Sequence, residues 1–235
     1  QIVHRERRAA RRARYGKLDE PLLPRLQEAL GRTGIDRLYR HQALAINAVR
    51  AGGHVILCTG TASGKTLAYN VPVLETLLAD RDARALYLFP TKALAQDQLR
   101  SLHELAGNEL GAGRIGTYDG DTARSTRVRL RREARIILSN PDMVHLGILP
   151  NHTLWADFFA NLRFVVIDEA HAYRGVFGSH VGCVLRRLWR VCARYGATPQ
   201  IIACSATIAN PAEHLQRLAG GEAVVISDDN NGAPR

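Results

Sequence analysis

Short apolar segments of strand length alternate with helical patterns along the 235 residues of this chain. The spacing of apolar residues predicts seven strands, at residues 54–58, 85–89, 114–117, 136–139, 164–167, 200–204 and 223–226. Apolar residues at intervals of three and four predict helices between them, at residues 64–78, 92–105, 122–132 and 176–195. Two further helices, 21–30 and 38–49, are predicted before the first strand, and the chain therefore alternates strands and helices almost throughout.

This alternation limits the fold class. Strand–helix–strand units form α/β folds, in which a mostly parallel sheet carries helices on both faces. Right-handed crossovers then bring the carboxyl ends of the strands to one edge of the sheet, where ligands of such folds bind. We therefore expect the functional residues just after the predicted strands.

Charge and hydropathy narrow the function further. The chain holds no apolar run near the roughly 18–20 residues of a membrane span, and we expect no membrane partner. Its formal net charge is +10, with much of the excess in two arginine-rich segments, residues 5–17 and 124–135. Such a balance favours a polyanionic partner, nucleic acid before membrane. The alternative is an arginine-rich composition with solvated surfaces.

The four cysteines lack the spacing of a metal site or a disulfide framework. Two of them, Cys58 and Cys204, lie inside predicted strands. We therefore expect buried free thiols in a reducing compartment, and the basic start of the chain lacks the apolar core of a secretory signal. These features favour a cytoplasmic location.

A phosphate-binding loop is predicted directly after the first strand, at the start of the next helix. Small residues there let backbone N–H groups surround phosphate oxygens, and the helix N-terminus favours negative charge. The pattern predicts that Lys65 reaches the β- and γ-phosphates and that the Thr66 hydroxyl binds Mg²⁺. Thr59 departs from the general pattern, which begins with Gly. The predicted loop is Thr59-Gly60-Thr61-Ala62-Ser63-Gly64-Lys65-Thr66.

An acidic pair follows the fifth predicted strand, where residues 164–167 lead into Asp168 and Glu169. At this edge Asp168 would hold Mg²⁺ directly or through water, and Glu169 would polarise the attacking water. Acidic residues that merely cap a strand are the alternative for this pair taken alone. A loop and an acidic pair, each at a strand end and in this order, together predict a site for ATP and Mg²⁺.

These residues resemble the motifs of the superfamily 2 DEAD/DEAH-box helicases. Residues 168–171, Asp-Glu-Ala-His, match motif II of that family letter for letter, and residues 59–66 resemble motif I, in which a leading Thr is familiar. Further segments resemble other motifs in the family's order: the adenine-reading glutamine at Gln42, motif Ia at 90–98, motif Ib at 139–142 and motif III at 205–207. The resemblance covers residues 38–207 and implies a RecA-like fold of the P-loop NTPase type.

The resemblance also implies roles for single residues. Gln42 would pair with adenine through its amide; an exposed helical glutamine is the alternative. Strand ends that lead into helices would hold the phosphates of a nucleic-acid strand, at Thr91, Lys92, Ser139 and Asn140, although Lys92 alone is also explained as a solvated cation. His171 would couple ATP hydrolysis to nucleic-acid binding through Ser205 and Thr207; a hydrogen-bonded core histidine is the alternative.

Two more segments, residues 118–122 and 172–180, resemble the bacterial mitomycin-repair helicases and their fungal RecQ-four-like relatives, which are DNA helicases. In this interpretation residues 1–37 are a basic and helical extension, residues 38–226 the first RecA-like motor domain, and residues 227–235 the start of an interdomain linker. The family needs a second RecA-like domain of the same chain to supply arginine fingers. We therefore expect residues 1–235 alone to be nearly inactive.

The favoured function is an ATP-dependent DNA helicase or translocase acting on single-stranded or partly duplex DNA in DNA repair. An RNA helicase is an alternative, because phosphate contacts carry little information on the sugar. Two further alternatives are a nucleic-acid-binding module whose nucleotide site only switches conformation, and a phosphate-loop enzyme unrelated to nucleic acid.

Overall fold

The computed structural model describes residues 12–60, 63–111, 113–227 and 231–234. Within these ranges a seven-stranded sheet has the order β3-β4-β2-β5-β6-β1-β7. Every neighbouring pair of strands is parallel. The predicted α/β fold with a parallel sheet is therefore confirmed.

The strands lie close to the predicted positions: β1 His54–Cys58, β2 Arg84–Leu88, β3 Ile115–Thr117, β4 Ile136–Ser139, β5 Leu162–Ile167, β6 Gln200–Ser205 and β7 Ala223–Ile226. The α-helices are α1 Pro24–Arg32, α2 Arg40–Arg50, α3 Lys65–Ala79, α4 Lys92–Leu110, α5 Arg124–Glu133, α6 Pro141–Met143, α7 Ala156–Ala160, α8 Gly175–Arg194 and α9 Pro211–Ala219.

Apolar side chains leave the sheet on both faces, because successive strand residues point to opposite sides. In β1, Val55 and Leu57 join the core under α1 to α4, whereas Ile56 and Cys58 join the core on the other face. The second core also contains residues of α5, α8 and α9. Both faces of the sheet are therefore covered, as a parallel sheet requires.

The helix predictions were wrong in several places. Helix α1 begins at Pro24 rather than at Pro21. In a helix from Pro21, Pro24 would lack the N–H that bonds to the carbonyl oxygen of residue 20, whereas at the first helical position this N–H is not needed. Helix α4 continues to Leu110, five residues beyond the predicted end. Helix α9 was not predicted, and of the segment 141–160 only a helix start after Asn140 was predicted. This segment contains a π-helical turn, Val144–Ile148, and a 3₁₀ stretch, Leu149–Trp155.

The two ends of the described chain pack against the domain. Leu26, Ala29 and Leu30 of α1 belong to the core shared with α3 and α4, so packing is continuous across the predicted boundary at residue 37. Asn231 and Ala233 are buried, which a free linker would not require. The arginine-rich segment 5–17 falls partly outside the described residues, and its described part forms an antiparallel bridge from Tyr15 to Tyr39.

All four cysteines are free, and three are buried. Cys183 is exposed on α8, so the prediction of four buried thiols was wrong at this position. Burial raises the pKa of the Cys58 thiol to about 11, which keeps it protonated and unreactive at neutral pH. Among the residues described here, no helix has both the length and the apolar character needed to cross a bilayer.

Candidate nucleotide site and nucleic-acid edge

The strand order divides the predicted site residues into two groups. The phosphate loop, the acidic pair and motif III follow β1, β5 and β6, which are neighbours in one half of the sheet. Thr91 and Lys92 follow β2, while Ser139 ends β4 and Asn140 follows it, in the other half. Strands β2 and β5 pair directly, so the acidic pair lies where the two groups meet.

The phosphate loop leads from β1 into α3. Gly64 has φ 77°, a left-handed conformation that glycine adopts without strain, and it caps the N-terminus of α3. The Thr59 and Ser63 hydroxyls lie 2.7 Å apart and are buried. Lys65 Nζ donates to the carbonyl oxygens of Thr59 at 3.1 Å and Gly60 at 2.9 Å, so the ammonium group is turned into the loop. Thr61 and Ala62 lie outside the described residues.

Asp168 is 8% exposed at the end of β5. Its Oδ1 accepts from the N–H of Glu169 at 2.8 Å, and its Oδ2 lies 3.0 Å from the Tyr69 hydroxyl of α3. Burial raises the pKa of Asp168, with a smaller rise from the charge of Glu169, while the two hydrogen bonds oppose the shift. A nearby cation would favour the charged carboxylate.

Glu169 has φ 49° and is the single non-glycine residue with positive φ in the described part of the chain. A left-handed residue of this kind costs free energy and marks positions where the surrounding structure imposes a direction on a side chain. Glu169 Oε2 lies 3.2 Å from His171 Nδ1. The left-handed backbone of Glu169 and this contact with His171 thus occur together at the end of β5.

The His171 side chain contacts a backbone N–H group of motif III. Its Nδ1 accepts a hydrogen bond from the N–H of Ala206 at 3.2 Å. Ser205 is fully buried at the end of β6, and Thr207 is exposed. The structure therefore brings His171 to the segment of Ser205 and Thr207, although the contact is made by the residue between them.

Gln42 bridges two backbone groups at the start of α2. Its Oε1 accepts from the N–H of Tyr39 at 2.8 Å, and its Nε2 donates to the carbonyl oxygen of Gly64 at 2.8 Å. The side chain is 2% exposed. The interpretation of Gln42 as an exposed helical glutamine is therefore excluded, and its amide is tied to the phosphate loop.

A cavity of about 260 Å³ opens beside Gln42. Its lining includes Tyr15, Arg37, Tyr39 and Leu67. The Arg37 guanidinium carbon lies 3.8 Å from the centre of the Tyr15 ring, and the Tyr15 and Tyr39 rings stack with centres 5.6 Å apart. Aromatic and guanidinium planes next to an amide suit a flat heterocyclic ring.

The donor set near Asp168 fits a magnesium ion bound together with phosphates. Mg²⁺ prefers oxygen ligands and is usually held by one or two protein oxygens, phosphate oxygens and water. Asp168 Oδ1 and Oδ2 and the Thr66 hydroxyl are oxygens of this kind. Gln98 of α4 lies next to Thr66 and to Tyr69, the partner of Asp168, since its Nε2 lies 3.5 Å from Thr66 Oγ1 and its Oε1 lies 3.1 Å from the Tyr69 hydroxyl.

The predicted nucleic-acid residues that follow β2 are exposed. Thr91 Oγ1 accepts from the N–H of Leu94 at 3.4 Å at the start of α4. Lys92 Nζ lies 2.7 Å from Asp121 Oδ2, and the hydrogen bond to this carboxylate raises the pKa of Lys92. Lys92 and Arg129 also line one cleft of about 410 Å³. Lys92 is therefore solvent-accessible but paired with an acid.

The predicted nucleic-acid residues at the end of β4 make side-chain hydrogen bonds to backbone groups of the domain. Ser139 is buried, and its hydroxyl donates to the carbonyl oxygen of Tyr118 at 2.6 Å. Asn140 Oδ1 accepts from the N–H of Met143 at 2.8 Å and caps α6. Both side chains thus stabilise the edge itself.

Several residues at the site were not predicted. Tyr69 and Gln98 hold the acidic pair and the loop together, and the Nε2 of His214 on α9 lies 2.8 Å from the carbonyl oxygen of Ala170. Tyr69 follows Lys65 by one helical turn, a spacing that places it behind the loop. The position of His214 depends on a helix that was not predicted.

The sheet order and the loop at the end of β1 define a class, the phosphate-loop nucleotide-binding domains of RecA-like topology. Residues 39–215 match the model of the DEAD/DEAH box helicase family, and the chain belongs to that family. The predicted resemblance is therefore confirmed.

Individual relatives agree with this assignment. The ATP-dependent helicase YprA of Bacillus subtilis is 49% identical over 225 residues, which are 95% of this chain and 30% of that protein. The ATP-dependent helicase HRQ1 of Saccharomyces cerevisiae is 41% identical over 98% of this chain and 22% of that protein. The crystal structure of the DUF1998 helicase MrfA bound to DNA and AMPPNP superimposes with TM-score 0.91 and 48% identity, over 95% of this chain and 31% of that one. The chain thus spans less than a third of the length of these relatives.

Proposed function

We propose that this chain is the ATP-binding motor domain of an ATP-dependent DNA helicase or translocase that acts in DNA repair. The observation that carries the proposal is the hydrogen bond between Tyr69 and Asp168. This bond joins α3, the helix that follows the phosphate loop, to the acidic pair. The residues that follow β1 and those that follow β5 therefore form one site. The similar proteins YprA, HRQ1 and MrfA are helicases by name, and one MrfA structure holds both DNA and a nucleotide analogue.

In this proposal the phosphates of ATP lie in the loop 59–66, against backbone N–H groups and the Lys65 ammonium. The base lies in the cavity between Gln42, Tyr15 and Arg37. Each polar atom of the Gln42 amide has one bond in place and retains capacity for a second, since an amide has two acceptor sites and two N–H donors. Gln42 is therefore able to bind adenine without leaving Tyr39 or Gly64.

The acidic pair divides the chemistry. Thr66 and Asp168 would hold Mg²⁺, which would neutralise charge on the phosphates. Glu169 accepts the proton of the attacking water. His171 Nδ1 lies 3.2 Å from both Glu169 Oε2 and the Ala206 nitrogen. It accepts from the Ala206 N–H without a hydrogen and donates to Glu169 with one, and this alternation would relay changes at the acidic pair to Ser205 and Thr207.

Single-stranded or partly duplex DNA passes over the other half of the sheet. Thr91 and Lys92 contact phosphates, while Ser139 and Asn140 present backbone groups at the start of α6. A second RecA-like domain of the longer protein completes the site with arginine fingers. Residues 38–226 form the first motor domain, with residues 1–37 as its extension and residues 227–235 as the start of the interdomain linker.

Free cysteines support a location in a reducing compartment, and we infer that the protein works in the cytoplasm.

ATP hydrolysis by the full-length protein, measured with and without single-stranded DNA and single-stranded RNA, tests the function. We expect turnover that rises with DNA and falls as salt weakens DNA binding. Stimulation by RNA alone would favour an RNA helicase. Nucleotide binding without turnover would favour a switching module, and turnover that ignores both nucleic acids would favour an unrelated phosphate-loop enzyme.

A further inference from the structure

Three segments that are far apart in the sequence meet beside Gln42. We call residues 14–16, 38–41 and 231–233 the clamp. Arg14 N–H donates to the carbonyl oxygen of Gly232 at 2.8 Å, and the Arg14 carbonyl oxygen accepts from Arg40 N–H at 2.9 Å. Arg14 Nη2 also donates to the carbonyl oxygen of Asn231 at 2.9 Å. Arg14 therefore connects the other two segments: it bonds to Arg40 in the segment 38–41, and to Asn231 and Gly232 in the segment 231–233.

Gly232 occupies a position that has no room for a side chain. A Cβ atom there would lie 2.0 Å from the carbonyl oxygen of Arg14 and 2.6 Å from the N–H nitrogen of Arg40. Both atoms belong to backbone, which cannot rotate away as a flexible side chain does. Any larger residue at 232 must therefore push the clamp segments apart.

His41 connects Gly232 to the nucleotide site. The Gly232 N–H donates to His41 Nδ1 at 3.1 Å, and the imidazole is fully buried. The next residue is Gln42, whose amide reaches the loop at Gly64. An unbroken series of hydrogen bonds and one peptide bond thus runs from residue 232 to the phosphate loop.

We propose that Gly232, His41 and Arg14 are positioning residues for Gln42, and that the clamp contributes to selectivity for the adenine base. This inference rests on the proposed function, which assigns Gln42 to the base of ATP. Residues 231–233 thereby gain a role in nucleotide recognition, although they lie well beyond motif III and line no part of the cavity beside Gln42.

The chemistry of the two purines explains the selectivity. Adenine offers a donor at N6 and an acceptor at N7, which match the acceptor and donor of a glutamine amide. Guanine offers acceptors at both O6 and N7, so one amide oxygen would face another oxygen. This discrimination requires that the amide keep its orientation, which the clamp fixes through the first turn of α2.

The test compares Gly232→Ala with Gly31→Ala in the full-length protein. A Cβ at Gly31 would meet nothing within 4 Å, so this variant controls for the change of residue type. We expect Gly232→Ala to raise the KM for ATP about fivefold to tenfold, the low end of what a paired base contact contributes. The kcat should stay within about twofold, and the ratio of kcat/KM for ATP over GTP should fall. Gly31→Ala should resemble wild type.

Gln42→Ala and the double variant show whether Gly232 acts through Gln42. Residues that act through one contact give non-additive effects, so the double variant should be no less selective than Gln42→Ala alone. His41→Asn and His41→Leu provide a second route if Gly232→Ala does not fold. Asn keeps an acceptor near Nδ1 and should retain ATP selectivity, whereas Leu should lose it.

A Gly232→Ala protein that folds, with unchanged ATP/GTP selectivity, would overturn the inference, and so would full additivity with Gln42→Ala. Equal selectivity of the two His41 variants would do the same. If wild-type protein hydrolyses ATP selectively in these assays, the proposed function stands while the clamp fails. If wild type hydrolyses no ATP, the proposed function itself fails.

Discussion

The two halves of the sheet edge are built in different ways. In the nucleotide half, Thr59, Ser63 and Asp168 are buried, and their side chains bond to neighbours within the site. In the half that we assign to nucleic acid, Ser139 is also buried, but Thr91 and Lys92 are exposed, and Lys92 pairs with a carboxylate on a neighbouring loop. A small ligand of fixed shape suits a rigid, preorganised site, whereas a sliding polyanion suits exposed charges that exchange partners. We therefore expect substitutions in the first half to abolish ATP turnover or nucleotide binding. Substitutions in the second half should change DNA binding by smaller amounts that depend on salt.

The largest expected effect is loss of ATP turnover in Lys65→Ala. Removal of the ammonium from the loop leaves the phosphate charge of the transition state uncompensated, and we expect turnover of the full-length protein to fall at least about 10³-fold. Steady-state ATPase measures this effect. Lys17→Ala, which removes an exposed lysine outside the site, is the matched control. ATP turnover near the wild-type rate in Lys65→Ala would contradict the assignment of residues 59–66 as the phosphate loop.

The acidic pair should separate binding from chemistry. Glu169→Gln should bind ATP normally and hydrolyse it about 10²-fold more slowly or worse, because an amide does not accept the proton. Asp168→Ala should instead weaken Mg²⁺-dependent nucleotide binding. Binding of a fluorescent ATP analogue with and without Mg²⁺, together with ATPase, distinguishes the two. Glu28→Gln, at an exposed position of α1, is the control, and equal loss of nucleotide affinity in both variants would refute the division of roles.

The Lys92–Asp121 pair should give smaller effects of opposite sign. Lys92→Ala should weaken binding of single-stranded DNA and lower the salt slope by about one. Asp121→Asn should strengthen binding, because the lysine no longer has a competing carboxylate. Fluorescence anisotropy over a salt series measures both. Weaker binding in Asp121→Asn would mean that Asp121 positions Lys92 for DNA rather than competing with the phosphate.

The smallest effect concerns Asn140, whose side chain caps α6. Asn140→Ala should lower the free energy of unfolding by about 1 kcal/mol, a typical cost of a lost N-cap. Binding of single-stranded DNA should change less than in Lys92→Ala. Denaturant unfolding provides the measurement. Asn210→Ala is the control, because the Asn210 side chain precedes α9 without a cap bond to the backbone and makes only an exposed bond to Glu213. An unchanged stability in Asn140→Ala would contradict the structural role.

The spacing of apolar residues predicted the strands well, but it did not predict the side-chain contacts of the site. The apolar run of β1 and the small residues after it are adjacent in sequence, so the loop at its end was predictable from spacing. The bond from Gln42 to Gly64 joins a side chain to a backbone group 22 residues away, and no pattern encodes it. Beyond the helix start after Asn140, the segment 141–160 was not predicted, because its π and 3₁₀ turns break the 3.6-residue period on which helix prediction depends.

The clamp illustrates the same limit. Gly232 stands in a polar, glycine-containing stretch that predicts a linker. Its tight fit against Arg14 and Arg40 depends on tertiary contacts across more than 190 residues of sequence, which composition does not reveal.

The most direct test of the comparison measures residues 1–235 alone, with circular dichroism as a check on folding. The nucleotide half is built within this chain, but the arginine fingers that we assign to a second domain are not, and such fingers contribute about 10³–10⁵ in rate in other phosphate-loop enzymes. Steady-state ATPase with and without single-stranded DNA should therefore give background turnover, with weak nucleotide binding and weak, salt-sensitive DNA binding. Robust DNA-stimulated turnover by this fragment would contradict the proposal and would make Arg174, which is exposed and follows the acidic pair by a few residues of sequence, the first candidate for an internal finger.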